Sequence, residues 1–184
     1  MQIVKYPHPS LRHKAEPVTE INRNLNLLVG EMLEAMYRNA GFGLAAPQVA
    51  VSQRVLVMNF AGGAEHPDQE FVAINPVLVE VSKTIVDGRE GCLSFPELFA
   101  KVRRPKRVKV QAYNLKGELY EMDCSDLAAR IWQHEIDHLN GDLFIDKMGM
   151  VGRMNSKKYL TQFVEDFEFA KKSGELPKDM EPRF

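Results

Sequence analysis

The chain has 184 residues, of which 45% are hydrophobic and 27% charged, and its formal net charge is −1. This composition is typical of a globular domain that can bury a core without disulfides, and the balanced charge gives no reason to expect nucleic-acid or membrane binding. No apolar run approaches the roughly 20 residues of a membrane span, and the first residues lack a secretory signal. We therefore expect one cytoplasmic domain over residues 1–184, in which reducing conditions keep Cys92 and Cys124 unpaired.

The first half of the chain predicts one helix followed by two strands. Apolar residues recur at helical spacing over roughly 22–39, and the glycines of "NAGFG" end the pattern. Two stretches rich in β-branched residues, 54–60 and 71–82, then predict strands joined by a polar loop.

The second half predicts a hairpin and two helices. Residues 107–114 and 115–124 alternate around Gly117, as the arms of a hairpin do. A strong helix begins at Ser125 or Asp126 as its N-cap and ends at Gly141. A third helix is expected over 154–173, followed by a polar tail at 174–184, and one apolar stripe on this helix comprises Tyr159, Phe163, Phe167 and Ala170.

The sequence "WQHEIDHLNG" contains the motif H-E-x-x-H within the second predicted helix. Residues four apart lie on one face of a helix, so His134 and His138 can bind one metal ion, with Glu135 beside them facing its water. The alternative is an exposed helix that carries two incidental histidines.

A catalytic site of this kind needs a third protein ligand, and no histidine follows the motif. Asp142 and Asp146 are the acidic residues at the place where some metallopeptidases have their third ligand. Cys92, in a loop with the sequence "GREGCLSFPEL", is the better candidate because a thiolate binds such metals strongly. Considered alone, Cys92 would be better interpreted as a small buried hydrophobic residue.

The glycine-rich stretch "GFGLAAPQ" (41–48) follows a helix, so it is a poor phosphate loop. Its small residues would let a substrate backbone approach closely, and the Gln48 amide could donate a hydrogen bond to a developing oxyanion. The alternative is a simple turn that leads into the next strand.

These stretches together resemble peptide deformylase, the family that removes the formyl group from the initiator methionine of nascent proteins. The resemblance rests on "GFGLAAPQ" (41–48), "EGCLS" (90–94) and "QHEIDH" (133–138), in the family's order, and extends loosely to about residue 150. It implies an α+β fold, with small antiparallel sheets around the H-E-x-x-H helix and a C-terminal helix.

The resemblance also implies the roles of the site residues. One divalent metal would be held by Cys92, His134 and His138. In the family this metal is typically ferrous iron, and zinc, nickel or cobalt also suit such ligands. Glu135 would take a proton from water and return it to the leaving amine. The Gln48 amide and the backbone N–H of Leu93 would stabilise the formyl oxygen.

Further residues are implied around this centre. The substrate backbone would be flanked by Phe42, Gly43 and Gly91, and Glu90 and Arg104 would form an ion pair that anchors Cys92. Helical geometry directs Ile131 and His134 towards an apolar pocket for the methionine. Where many relatives carry an arginine, this chain has Phe99, so contact with the residue after methionine is in question.

Two other functions remain open from the residues alone. An H-E-x-x-H endopeptidase would need a downstream third ligand, and a structural metal site would need a fourth one. Cys124 lies about ten residues before His134, or roughly 15 Å along a helix, which is too far to close the site. The expected partners are formylmethionyl nascent peptides. A transient ribosome contact through the C-terminal helix rests on analogy alone.

Overall fold

The structure is a computed structural model that describes residues 1–175, and within them lie seven strands and three helices. In chain order the strands are β1 (Gly43–Ala45), β2 (Val55–Asn59), β3 (Glu70–Val81), β4 (Ile85–Cys92), β5 (Phe95–Pro105), β6 (Arg107–Tyr113) and β7 (Leu119–Ser125). The helices are α1 (Arg23–Arg38), α2 (Asp126–Asn140) and α3 (Met150–Ser173).

The strands form two antiparallel sheets. The larger sheet has five strands in the order β1-β2-β3-β6-β7, and the smaller one is the β4–β5 hairpin. The predicted α+β class, with small antiparallel sheets around the motif helix and a C-terminal helix, is therefore confirmed. Among residues 1–175, no helix is both long and apolar enough to cross a membrane.

Most predicted elements are confirmed to within a few residues. The side chain of Asn22 caps α1 by accepting a hydrogen bond from the backbone N–H of Leu25 at 3.1 Å. β6 and β7 form the predicted hairpin, and Gly117 lies in its turn with a φ of +77° that favours glycine. Gly141 ends α2 in the left-handed conformation, as predicted.

The strands that flank the cysteine were missed. Cys92 was expected in a loop, which was wrong, because it is the last residue of β4. The sequence of β4, "IVDGREGC", contains glycine and aspartate, which are depleted in strands. The segment forms a strand because it pairs with β5, whose residues alternate between buried and exposed, and not because of its own composition.

The motif helix α2 lies between the two sheets. Its apolar face packs on the five-stranded sheet through side chains at helical spacing, namely Ala129, Trp132, Ile136 and Leu139. Trp132 is fully buried, and burying a large apolar side chain contributes roughly 1.5–3 kcal/mol. This packing turns the His134 side of α2 towards the β4–β5 hairpin.

Helix α3 begins at Met150, four residues earlier than predicted. Leu160 and Phe163 pack against the cluster that contains Phe95 and Phe144. Tyr159 was wrongly placed on this apolar stripe, since half of its surface is exposed and Leu160 takes the inward position. The predicted tail at 174–184 lies mostly outside the described residues.

Candidate metal centre and active site

Three metal-ligating side chains meet where the end of β4 touches α2. Cys92 comes from the hairpin, and His134 and His138 lie one turn apart on the helix. Their candidate ligand atoms all lie within 4.8 Å of one another. The Sγ atom of Cys92 is 3.2 Å from Nε2 of His138, and the two imidazole rings are 5.1 Å apart at their centres.

The donor set fits a divalent transition metal. Bond lengths of about 2.3 Å to sulfur and 2.0 Å to nitrogen place tetrahedral S and N ligands roughly 3.5 Å apart, close to the separation of Cys92 and His138. Burial holds the pKa of His138 well below its usual value, so the imidazole is neutral and its lone pair is free for a metal. The thiolate and imidazole ligands suit iron, zinc, cobalt and nickel.

Glu90 fixes the orientation of His134. The Nδ1 atom of His134 lies 3.0 Å from Oε2 of Glu90. Burial raises the pKa of Glu90, but hydrogen bonds from Arg104 and His134 outweigh it and hold the pKa well below its usual value. An ionised carboxylate only accepts hydrogen bonds, so Nδ1 of His134 carries a proton. Burial lowers the pKa of His134, but hydrogen bonds to Cys92 and Glu90 outweigh it and raise the pKa well above its usual value, so a metal at Nε2 would replace a proton there.

The predicted pair of Glu90 and Arg104 is part of a larger buried ion cluster. Arg104 donates to both carboxylate oxygens of Glu90, at 2.8 and 2.9 Å, and also to Asp137. Arg130 donates to Glu90 at 2.7 Å and to the backbone oxygens of Val102 and Val86. Arg130 was missed, although it lies one helical turn before His134 on α2, and that spacing could have revealed it.

Glu135 points into the cleft rather than towards this cluster. It is 5% exposed, and its Oε2 atom has no hydrogen-bond partner within residues 1–175. Burial raises the pKa of this carboxyl to about 7. A buried carboxylate without a protein partner is expensive, so the geometry suits one that exchanges a proton with water or substrate.

Gly43 leaves the space that the Glu135 side chain occupies. A Cβ atom at position 43 would lie 2.6 Å from Oε1 and 2.8 Å from Cγ of Glu135, well inside van der Waals contact. Any larger residue must therefore displace the carboxylate.

Gly43→Ala is expected to lower turnover by about tenfold to a hundredfold, because shifting a catalytic group by about 1 Å can cost that much. Steady-state formate release measures the effect. Gly30→Ala is the control, since Gly30 lies on the exposed face of α1 with no atom within 4 Å of the added carbon. Equal activity of Gly43→Ala and wild type would contradict the importance of this contact.

Gln48 and Leu93 both lie next to Cys92 in the cleft. The Oε1 atom of Gln48 accepts a hydrogen bond from the N–H of Ala45 at 2.9 Å, which fixes the amide. Its Nε2 atom then lies 3.4 Å from Cys92 Sγ and 3.3 Å from Ser94 Oγ. The backbone N–H of Leu93 follows directly after Cys92 in the chain. Both predicted donors are thus beside the centre.

The N-terminal segment ties these two stretches together. The backbone N–H of Val4 donates to the Gln48 carbonyl at 2.9 Å, and that of Tyr6 donates to the Ser94 carbonyl at 3.0 Å. Between them, the Lys5 ammonium donates to the Leu93 carbonyl at 2.7 Å. We call residues 4–6 the N-terminal clamp. No sequence motif pointed to it.

An open cleft of about 580 Å³ runs past Cys92 and His134. All four residues expected to contact substrate line it: Phe42, Gly43, Gly91 and Ile131. Leu127 and Phe99 form part of its outer wall. The structure therefore brings the residues predicted to contact substrate to one cavity, together with Gln48, Cys92, His134 and Glu135.

The alternative ligands lie elsewhere. Asp146 pairs with Arg12, and Asp142 lies 3.7 Å from Lys147, so both carboxylates have partners away from Cys92. Cys124 is buried in the apolar core beneath the five-stranded sheet. Within residues 1–175, the one cluster of three or more metal-ligating side chains is that of Cys92, His134 and His138.

Comparisons with known proteins agree with this geometry. Residues 1–154 match the family model described as polypeptide deformylase. A peptide deformylase from Acidobacterium capsulatum is 47% identical over 151 residues, which cover 82% of this chain and 88% of that protein. One from Thermotoga maritima is 43% identical over 152 residues, covering 83% and 89%.

Solved structures give the same result. Peptide deformylase from Plasmodium falciparum superposes with a TM-score of 0.88 at 41% identity, covering 90% of this chain and 96% of that one. Arabidopsis thaliana peptide deformylase 1B gives a TM-score of 0.87 at 39% identity, covering 95% and 94%. This chain belongs to the polypeptide deformylase family.

Proposed function

We propose that this protein hydrolyses the formyl amide at the N-terminal methionine of nascent polypeptides, releasing formate and a free amine. The observation that carries the proposal is the position of Glu135. Its buried, unpartnered carboxylate shares one cleft with Gln48 and with Cys92 and His134, which cluster with His138 as metal-ligating side chains. Family membership supports the same reaction.

Cys92, His134 and His138 would hold one divalent metal. When bound there, the metal supplies a Lewis acid that lowers the pKa of water towards neutrality. We propose ferrous iron as the native metal, with zinc, nickel or cobalt able to replace it. Glu90 contributes by orienting His134 on α2, and its ion pair with Arg104 links β4, which carries Cys92, to β5.

Glu135 moves the protons of the reaction. It accepts a proton as water attacks the formyl carbon and then donates that proton to the nitrogen of the leaving amine. The pKa near 7 that burial gives this carboxyl lets it act as base and as acid near neutral pH.

Gln48 and Leu93 stabilise the negative charge that develops on the formyl oxygen. The Gln48 Nε2 donor is fixed by the hydrogen bond that Oε1 accepts from the N–H of Ala45, and Leu93 is held through its own carbonyl, which accepts a hydrogen bond from the clamp residue Lys5. Donors that are already oriented need no rearrangement as charge develops, which is why such groups contribute strongly to catalysis.

Substrate recognition uses the cleft on both sides of these groups. The small residues Gly43 and Gly91 allow the extended substrate backbone to approach, and Phe42 covers it from one side. Ile131 and Leu127 provide the apolar surface for the methionine side chain. A formyl cap is the smallest acyl group, so it fits beside Gln48 without a long cleft.

A single preparation tests the function. The protein is purified under reducing, oxygen-free conditions, metal per chain is measured, and formate release is followed with a formyl-methionyl peptide. We expect close to one metal per chain and formate release that stops when a chelator removes the metal. One metal per chain without formate release would rule out the proposed reaction.

The expected substrates are formylmethionyl nascent peptides, and we propose that the protein meets them in the cytoplasm. A transient contact of α3 with the ribosome remains a prediction based on analogy. The lysine pairs at 157–158 and 171–172 are exposed on α3, but the acidic residues Glu165, Asp166 and Glu168 lie between them.

A further inference from the structure

Arg89 and Phe99 form a stacked pair on the outer wall of the cleft. In the β4–β5 ladder Phe99 lies opposite Gly91, and a Cβ atom at Gly91 would come within 2.5 Å of the Phe99 ring. The ring therefore covers Gly91. The guanidinium carbon of Arg89 lies 4.3 Å from the centre of this ring, and both side chains line the cleft.

The charge of Arg89 is not neutralised by the protein. Within residues 1–175, Arg89 forms no ion pair. The other cations that line the cleft differ, since Arg130 binds Glu90 and Lys5 binds the Leu93 carbonyl. Glu97 also lines the cleft but is not paired with Arg89. The guanidinium thus keeps its donors available to a bound ligand.

The position of Arg89 relates it to a particular part of the substrate. It precedes Cys92 by three residues on β4, which corresponds to roughly 10 Å along a strand. An extended peptide advances about 3.3–3.6 Å per residue. A substrate whose formyl group lies at Cys92 and whose chain runs along β4 brings its second and third residues to this distance.

We propose that the Arg89–Phe99 pair is a subsite for the residues after the methionine, and that it favours an acidic side chain there. The inference rests on the proposed deformylase function and concerns which nascent chains are preferred. Stacking on Phe99 holds the planar guanidinium in place, so less side-chain freedom is lost when it binds a carboxylate. The pair would therefore provide the contact with the residue after methionine, which the presence of Phe99 had left in question.

The expected preference is modest because the pair is exposed, with Phe99 54% accessible. An exposed charge pair corresponds to about a fivefold effect at most. Because an acidic peptide gains this attraction while a basic one meets a repulsion, the two should differ by about fivefold to tenfold in kcat/KM. The difference should lie in KM, since a contact made equally in the ground and transition states leaves kcat unchanged.

The test compares four peptides with amidated C-termini, so that no terminal carboxylate adds charge: formyl-Met-Glu-Ala, formyl-Met-Ala-Glu, formyl-Met-Ala-Ala and formyl-Met-Lys-Ala. Wild type should show the lowest KM for at least one glutamate peptide and the highest for the lysine peptide. The spread should shrink at high salt, as screening weakens exposed charge pairs. Equal KM values for all four peptides would overturn the subsite while leaving the proposed function intact.

Two variants test whether Arg89 and Phe99 cause the preference for acidic peptides. Arg89→Glu should reverse the order of the glutamate and lysine peptides, and Phe99→Leu should reduce the spread by removing the stacking surface. Lys101→Gln is the matched control, because Lys101 pairs with Arg89 in register but does not line the cleft. An unchanged order in Arg89→Glu, or an equal change in Lys101→Gln, would overturn the proposal. No formate from any peptide with wild type would instead contradict the proposed function.

Discussion

Replacing Glu135 by glutamine is expected to lower formate release by about 10²–10⁴-fold, the usual contribution of a positioned general acid–base. Glutamine keeps the size of the side chain but cannot accept the proton as water attacks or return it to the amine. Because Glu135 is proposed to move protons rather than to bind metal, the metal content per chain should equal that of wild type.

Glu31→Gln, the same change on the exposed face of α1, serves as the control and should keep full activity. The measurement pairs metal analysis with steady-state formate release on each protein. Loss of metal from Glu135→Gln would reassign Glu135 as a ligand. Near-normal turnover with full metal content would show that another group moves the protons.

Glu90→Gln is expected to have the largest effect on stability, a loss of about 3–5 kcal/mol in the free energy of unfolding. Glu90 accepts hydrogen bonds from Arg104, Arg130 and His134, and its side chain is almost fully buried. Removing its charge leaves the Arg130 guanidinium without its carboxylate partner and leaves Arg104 with Asp137, which also pairs with Lys147.

Urea unfolding in a chelating buffer measures this loss separately from any change in metal binding. For a chain of this length the expected loss corresponds to a thermal midpoint lower by roughly 10 °C. Glu34→Gln is the control, because Glu34 forms an exposed pair with Arg38 one turn away on α1, and should change stability by less than about 0.5 kcal/mol. Equal stability of the two variants would contradict a structural role for the buried cluster.

Local sequence patterns were enough to predict the elements that depend mainly on interactions between residues close together in the chain. The helical spacing in α1 and α2, the caps of α2 at Ser125 and Gly141, and the turn at Gly117 each depend on residues within one or two turns. The H-E-x-x-H spacing likewise places two ligands on one helical face without any tertiary information. For the same reason, the motif alone could not identify the third ligand.

The remaining features depend on contacts between distant segments. The strand β4 has poor intrinsic propensity and exists because β5 pairs with it, so Cys92 was expected in a loop. Arg130 was missed because its partners are on β4 and β5, which had not been recognised as strands. Tyr159 satisfied the helical period, but the orientation of α3 on Phe95 and Phe144 selects Leu160 instead.

The N-terminal clamp makes the oxyanion donors dependent on the folding of the whole chain. Lys5 and the Leu93 carbonyl that it binds are 88 positions apart, and Cys92 and His138 are separated by a further 46. Closing such loops costs entropy before any contact forms, so these contacts raise the contact order and form with the complete fold. A partly synthesised chain that lacks α2 therefore holds neither the ligand set nor the proton carrier. Deformylase activity thus reports completed, cooperative folding of the enzyme itself.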